Sequence, residues 1–147
     1  MSNVSTPAAG PAPRLALVTG GGGGIGATIC QELARAGYRV VVSDVDAQRA
    51  RRVADELGAP HSAHAFDVSD ESAVETAFDQ IEQAHGPIAV LVSAAGLLLF
   101  QPNGERPLIK DTTLDIWERS FAVNARGVFL CGRAYLRRRD AVDGDAQ

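Results

Sequence analysis

The sequence predicts an α/β fold, a parallel sheet with helices on both faces. Three observations carry that prediction. Short apolar runs alternate with longer amphipathic stretches along the whole chain, the pattern of strand–helix–strand units with a parallel sheet. The first apolar run, Leu15–Thr19, passes straight into a glycine cluster that opens an amphipathic stretch. The run Ile88–Ala94 is apolar throughout, which predicts a strand buried on both faces.

The elements follow in order. Arg14–Thr19 is the first strand. Ile25–Ala36 is the helix after it, with Ile25, Ile29 and Leu33 as an inward stripe at helical spacing. Arg39–Asp44 is the second strand. Asp46–Leu57 is a charged helix closed by Gly58 and Pro60. Ala63–Asp67 is a short third strand. Asp70–His85 is a helix with Val74, Phe78 and Ile81 inward, and Gly86-Pro87 stops it. Ile88–Ala94 is the fourth strand, and a loop with Pro and Gly runs on to Asp111. Thr113–Arg139 is one long final helix. Its residues Leu114, Trp117, Phe121, Asn124 and Val128 form one inward stripe at spacings of three and four.

Composition narrows the classes. A chain of 147 residues holds one domain at most. A hydrophobic content of 46% and a charged content of 22% are those of a soluble globular protein. The net charge of −4 argues against a nucleic-acid partner. No apolar run approaches the roughly 18 residues that span a bilayer, so no membrane role is expected. Residues 1–13 are rich in Pro, Ala and Ser without an apolar signal core. They read as a disordered tail before a domain over 14–147. Cys30 and Cys131 have no metal spacing and read as packed, reduced thiols of a cytoplasmic protein. His61, His64 and His85 form no metal pattern and read as solvated or capping residues.

The chemistry lies in the glycine cluster. A strand, then Thr19-Gly20-Gly21-Gly22-Gly23-Gly24-Ile25-Gly26, then a helix brings backbone close to a ligand carrying phosphates. Glycine permits a tight turn with outward N–H groups, and the helix adds its positive end. About eighteen residues on, the second strand ends in Asp44, where a dinucleotide fold places the acid that holds the adenosine ribose.

The spacing Thr19-Gly20, three residues, Gly24-Ile25-Gly26 resembles the short-chain dehydrogenase/reductase family. Asp67-Val68, Ser93-Ala94-Ala95-Gly96, Trp117-Glu118-Arg119 and Phe121-Ala122-Val123-Asn124 match further motifs in order. The resemblance covers roughly residues 14 to 136 and implies a Rossmann-type cofactor half. By it, Gly20, Gly24 and Gly26 line the pyrophosphate turn and Ile25 contributes backbone. Thr19 braces the turn against the end of the fourth strand. Asp44 takes the ribose hydroxyls, and Asp67 and Val68 border the adenine. Ala95 and Gly96 pass beside the nicotinamide-side ribose. Asn124 matches the asparagine that holds a proton-relay water. The loop Gln101–Lys110 falls where substrates approach.

Two departures bear on function. Ser93 stands where the family usually has Asn and has a shorter reach. The family's catalytic Ser and Tyr-x-x-x-Lys are not in this chain, which ends about where a fifth strand is expected to begin. Tyr135 with Arg139 is rejected as a substitute pair. Tyr135 lies eleven residues beyond Asn124 on one helix, roughly 16 Å along its axis, and Arg does not replace Lys. Arg137-Arg138-Arg139 instead reads as complementing the helix's C-terminal dipole.

The expectation is therefore the cofactor half of an oxidoreductase acting on an alcohol or ketone. NAD is expected over NADP, because Asp44 repels a 2′-phosphate and no Arg or Lys lies in the turn or just after Asp44 to neutralise it. The alternatives are a non-catalytic nucleotide-binding fragment or truncated gene product, and an NADP-dependent 3-oxoacyl-type reductase. The chain alone is expected to be inactive. Its fourth strand is expected to be an apolar open edge, with Phe129, Leu130, Ala134 and Leu136 adding outward apolar surface on the final helix. The complete enzyme is expected to be a homo-oligomer, a dimer or tetramer.

Overall fold

The computed structural model describes residues 12–98 and 105–144. Four strands form one parallel sheet, β1 (Leu15–Thr19), β2 (Arg39–Asp44), β3 (Ser62–Ala65) and β4 (Ile88–Ser93), in the order β3-β2-β1-β4. The helices are α1 (Gly24–Arg35), α2 (Ala47–Leu57), α3 (Glu71–His85), α4 (Leu114–Phe121) and α5 (Val128–Gly144). A π-helical segment, Ala122–Gly127, joins α4 to α5. The tail expected over residues 1–13 falls mostly outside the described residues, as does part of the loop Gln101–Lys110.

Side-chain alternation along the strands builds two cores. Leu15, Leu17 and Val41 face α3 and α5, where Phe78, Ile81, Leu130 and Ala134 meet them. Val18, Val40 and Val42 face α1 and α2, where Cys30, Ala50 and Val53 meet them. Burial pushes both the Cys30 and the Cys131 thiol up to about 11, and both cysteines are free. The helix starts are set by side-chain caps. Asp46 accepts from the Gln48 and Arg49 amides, Asp70 from the Ala73 amide and Thr113 from the Ile116 amide.

Several expectations need correction. Ile25 is 79% exposed, so the inward stripe of α1 begins at Ile29. β4 is not buried on both faces. Ile88 is buried, Ala89–Val92 are half-buried and Ser93 is exposed, because β4 ends the sheet among the described residues. The stripe on the final helix is not inward either, since Leu114, Trp117, Phe121, Val128 and Asn124 are exposed. The π-helical turn holds more residues than an α-turn and breaks the spacing of three and four at Asn124. The inward face of α5 is instead Leu130, Cys131 and Ala134. Of the four apolar residues expected to face outward, only Phe129 and Leu136 do.

The arginine run does not serve the end of its helix, which continues to Gly144. It crosses to α3. Arg138 pairs with Glu75 at 2.9 Å and Asp79 at 2.5 Å, Arg137 with Glu75 at 3.8 Å, and Arg139 with Glu82. Burial opposes the Arg138 charge, but its bonds to Asp79 and Glu75 outweigh that and hold its pKa above the usual value. The histidines are likewise structural. His61 Nδ1 accepts from the Val40 amide at 3.1 Å and so extends the β2 ladder before β3 begins at Ser62. His85 Nε2 and Ser62 Oγ are hydrogen-bonded at 3.2 Å.

Candidate functional site

In the order β3-β2-β1-β4 the chain reverses direction across the sheet between β1 and β4. A crevice opens outside the carboxyl ends of two such strands, and ligands of open α/β sheets bind there. Thr19 ends β1 at this point and is buried. Its hydroxyl donates to the Val92 carbonyl at 3.5 Å and accepts from the Ala95 amide at 3.4 Å. The Ala94 amide donates to the Thr19 carbonyl at 3.1 Å. Thr19 thus ties the end of β1 to the residues that close β4.

The glycine turn is cramped on one side and open on the other. Gly20 has φ +68°, and a Cβ there would lie 2.5 Å from Ala95 Cα. A Cβ on Gly26 would lie 2.1 Å from the Gly20 carbonyl oxygen, so only glycine lets α1 start directly beneath the turn. Gly23 and Gly24 face open space. Gly23 caps α1 in an extended conformation without a side-chain hydrogen bond, and the first turn carries no acidic residue. The start of α1 thus presents backbone N–H groups and a positive dipole end to an open cradle. Such a cradle fits a pyrophosphate.

At the edge of the cradle, Asp44 Oδ2 accepts from the Gly22 amide at 3.1 Å, and Oδ1 accepts from the Asp46 amide at 3.0 Å. Both contacts leave the half-exposed carboxylate beside the turn. A cation also reaches the turn from further along the chain. Arg52 Nη2 donates to the Gly22 carbonyl at 3.2 Å, and a Cβ on Gly22 would touch Arg49 Cβ at 2.7 Å. Sequence reading missed both arginines because α2 folds back over the end of β2. The buried Ala50, Val53 and Ala54 put Arg49 and Arg52 on a flank of α2, but no sequence pattern says that this flank meets the turn.

The opposite lip is built by the residues after β4. Ser93 is exposed, and Ala95 and Gly96 follow it. A Cβ on Gly96 would come within 3.7 Å of Asn124 Oδ1. Asn124 holds the next residue by two bonds, accepting from the Leu97 amide at 2.7 Å and donating to the Leu97 carbonyl at 3.0 Å. Val68 is buried, and it lines one small hollow with Thr19, Ser93 and Ala95. Asp67 is exposed, and its carboxylate accepts from the Ser69 amide and hydroxyl at 2.8 and 2.7 Å. Asp70, not Asp67, caps α3.

Comparison with known proteins decides the family. The sequence profile of the short chain dehydrogenases matches residues 14–145. This chain is a short-chain dehydrogenase/reductase. D-threitol dehydrogenase of Mycolicibacterium smegmatis is 35% identical over 136 residues, which cover 90% of this chain and 50% of that protein. Sorbitol-6-phosphate 2-dehydrogenase of Escherichia coli is 34% identical over 138 residues, covering 89% of this chain and 51% of that one. A solved gluconate 5-dehydrogenase from Burkholderia cenocepacia, in complex with NADP and tartrate, superposes with a TM-score of 0.76. It is 33% identical and covers 87% of this chain and 49% of its own. The chain thus spans about half the length of the curated relatives it matches. As a short-chain dehydrogenase/reductase it belongs to a family of oxidoreductases that use nicotinamide cofactors on small molecules, and the four parallel strands with their helices are Rossmann-like. None of the described helices is long and apolar enough to cross a membrane.

Proposed function

We propose that this chain binds the adenosine diphosphate portion of a nicotinamide dinucleotide, as the cofactor half of an enzyme that oxidises alcohols or reduces ketones. The observation that carries the reading is the open, uncapped start of α1 beneath a glycine turn, with Asp44 at its edge. Gly20, Gly24, Ile25 and Gly26 supply backbone to the pyrophosphate, and Thr19 holds that turn against β4. Asp44 accepts the ribose hydroxyls. Asp67 and Val68 border the base. Ser93, Ala95 and Gly96 flank the nicotinamide-side ribose, with Asn124 holding their loop and a proton-relay water. The bound nicotinamide supplies or accepts the hydride. The chain carries no Ser with Tyr-x-x-x-Lys, so the groups that in this family give or take the hydroxyl proton are missing from it, and in this reading residues 1–147 alone turn over no substrate.

NAD is the preferred cofactor in this reading, because a carboxylate at the ribose repels a 2′-phosphate. The second reading, an NADP-dependent reductase of 3-oxoacyl type, draws on the Arg52 guanidinium at the Gly22 carbonyl, the residue whose amide Asp44 holds. The Burkholderia gluconate 5-dehydrogenase, which holds NADP, also favours it. Calorimetric titration of the chain with NAD and with NADP separates the two. Tighter NAD supports the first reading, and equal or tighter NADP moves the choice to the second. Binding of neither removes the nucleotide function. The two buried, free cysteines support a cytoplasmic location. Exposed Trp117, Phe121, Phe129 and Leu136 on α4 and α5 support self-association to a dimer or tetramer, testable by sedimentation at micromolar concentration.

A further inference from the structure

Consecutive glycines cannot hold their own conformation, because each loses more backbone freedom on ordering than any other residue. The turn after β1 has to be fixed from outside. The Gly21 amide donates to the Ser43 carbonyl at 2.7 Å. At Gly22 both backbone groups are held by side chains, the amide by Asp44 Oδ2 at 3.1 Å and the carbonyl by Arg52 Nη2 at 3.2 Å. Asp44 and Arg52 are themselves linked through the start of α2. Asp44 Oδ1 takes the Asp46 amide, and Asp46 Oδ1 caps α2 through the Gln48 and Arg49 amides. Arg52 is steadied by Glu56 one turn on, at 3.4 Å. Turn, strand end and helix thereby form a closed ring of hydrogen bonds around Gly22.

The Arg52 bond has a directional consequence. In a trans peptide the C=O and the following N–H point in opposite directions. With the Gly22 carbonyl turned to Arg52, the Gly23 N–H is turned away from α2. Gly23 is the residue that caps α1, and its surroundings are open. We propose that Arg52 is a positioning residue for phosphate recognition. By holding the Gly22 carbonyl, its guanidinium aims the Gly23 N–H into the cradle where the pyrophosphate binds. This inference rests on the nucleotide reading above. It assigns to α2 a role at the pyrophosphate that is separate from any contact with a 2′-phosphate.

The test is calorimetric binding of ADP and of adenosine, which lacks the phosphates, to the full chain and to Arg52→Ala, Arg52→Gln and Arg52→Lys. Arg52→Ala is expected to weaken ADP about five- to tenfold, the effect of one lost hydrogen bond. Adenosine affinity should stay within about twofold. Arg52→Gln keeps a planar N–H donor without charge and is expected to retain more ADP affinity than Arg52→Lys, which keeps charge without the planar fork. Unchanged ADP binding in Arg52→Ala overturns the proposal. So does equal loss of ADP and adenosine, which marks a general structural role. Full retention by Lys with none by Gln overturns it in favour of plain charge attraction. Greater loss of 2′-phospho-ADP than of ADP overturns it in favour of a 2′-phosphate contact. A wild-type chain that binds neither ligand removes the nucleotide reading itself, an outcome distinct from all of these.

Discussion

The carboxamide of Asn124 closes on the backbone of a single residue, Leu97, accepting its N–H at 2.7 Å and donating to its C=O at 3.0 Å. Asn124 lies in the π-helical segment, and Leu97 follows the Ser93–Gly96 stretch that forms one lip of the crevice. One side chain therefore fixes where the chain goes after β4. Asn124→Ala removes both bonds and is expected to lower unfolding free energy by about 1–2 kcal/mol. Asn124→Asp keeps an acceptor for the amide but sets a carboxylate against the Leu97 carbonyl. Amide exchange read by NMR should show Leu97 opening faster in both variants. Unaltered exchange at Leu97 in the Ala variant contradicts the assignment.

Two glycines of the final helix predict opposite effects. A Cβ on Gly127 would lie 2.7 Å from Val68 Cγ2 and 3.3 Å from the Val68 carbonyl oxygen. The overpacking from Gly127→Ala costs about 1–3 kcal/mol and exceeds the gain of about 1 kcal/mol in helix propensity. Gly132 faces open space, so Gly132→Ala collects that gain alone and is expected to stabilise by roughly 0.5–1 kcal/mol. Urea midpoints should move down for the first variant and up for the second. A rise for both would mean that the approach of Val68 to the helix is looser than 2.7 Å.

The sheet and the glycine turn were legible in the sequence because both follow from local rules. Contiguous apolar runs placed the strands, and the requirement for missing side chains placed Gly20 and Gly26, each of which meets backbone within 2.6 Å of a virtual Cβ. Capping residues were legible as the starts of helices, displaced by one position at Asp46, Asp70 and Thr113. What failed were inferences that needed tertiary context. A spacing of three and four predicted an inward stripe through Asn124, but Leu114, Trp117 and Phe121 are exposed on α4 ahead of the π-turn, which then shifts the phase at Asn124, so the spacing marks one helix face without saying what covers it. An unbroken apolar run predicted burial of β4 on both faces, but burial depends on what lies beside the strand. Arg52 lies eight residues after Asp44, and only the path of α2 brings it to Gly22.

The three histidines predict loss of stability on mild acidification. Burial lowers the pKa of all three below the ordinary 6.5, and Arg39 adds to this at His61 and His85, as does His64 at His85. The folded chain therefore resists protonation that the unfolded chain accepts near pH 6.5. Their contribution is fully present above that pH and declines as pH falls below it, until the folded histidines titrate in turn. His61 adds a structural reason, since its Nδ1 must stay unprotonated to accept from the Val40 amide. Unfolding free energies are expected to fall from pH 7.5 to 5.5, a window above most carboxylate titration. His61→Gln should flatten the slope. A stability that rises across the same interval would show that the histidines gain partners for their charged forms.

Tyr135 and Arg139 have a definite structural task. The Tyr135 hydroxyl donates to the Ala89 carbonyl at 3.1 Å, and Arg139 Nη1 donates to the Ile88 carbonyl at 2.8 Å. The guanidinium lies over the Tyr135 ring, 5.6 Å from its centroid, and also pairs with Glu82. Two side chains of α5 thus satisfy adjacent carbonyls at the start of β4, the strand that ends the sheet among the described residues. Tyr135→Phe is expected to cost about 1 kcal/mol, the value of one hydrogen bond. Arg139→Ala should cost more, since it removes the bond to the Ile88 carbonyl and the ion pair with Glu82, whose carboxylate keeps only the Ile88 amide. The double variant should lose less than the sum, because neighbours that share a stacked contact do not act independently. Nucleotide affinity should be the same in all three, as the pair sits at the opening residues of β4 and the glycine turn meets its far end. A selective fall in nucleotide binding in Tyr135→Phe, with stability unchanged, would give Tyr135 a role at the site instead.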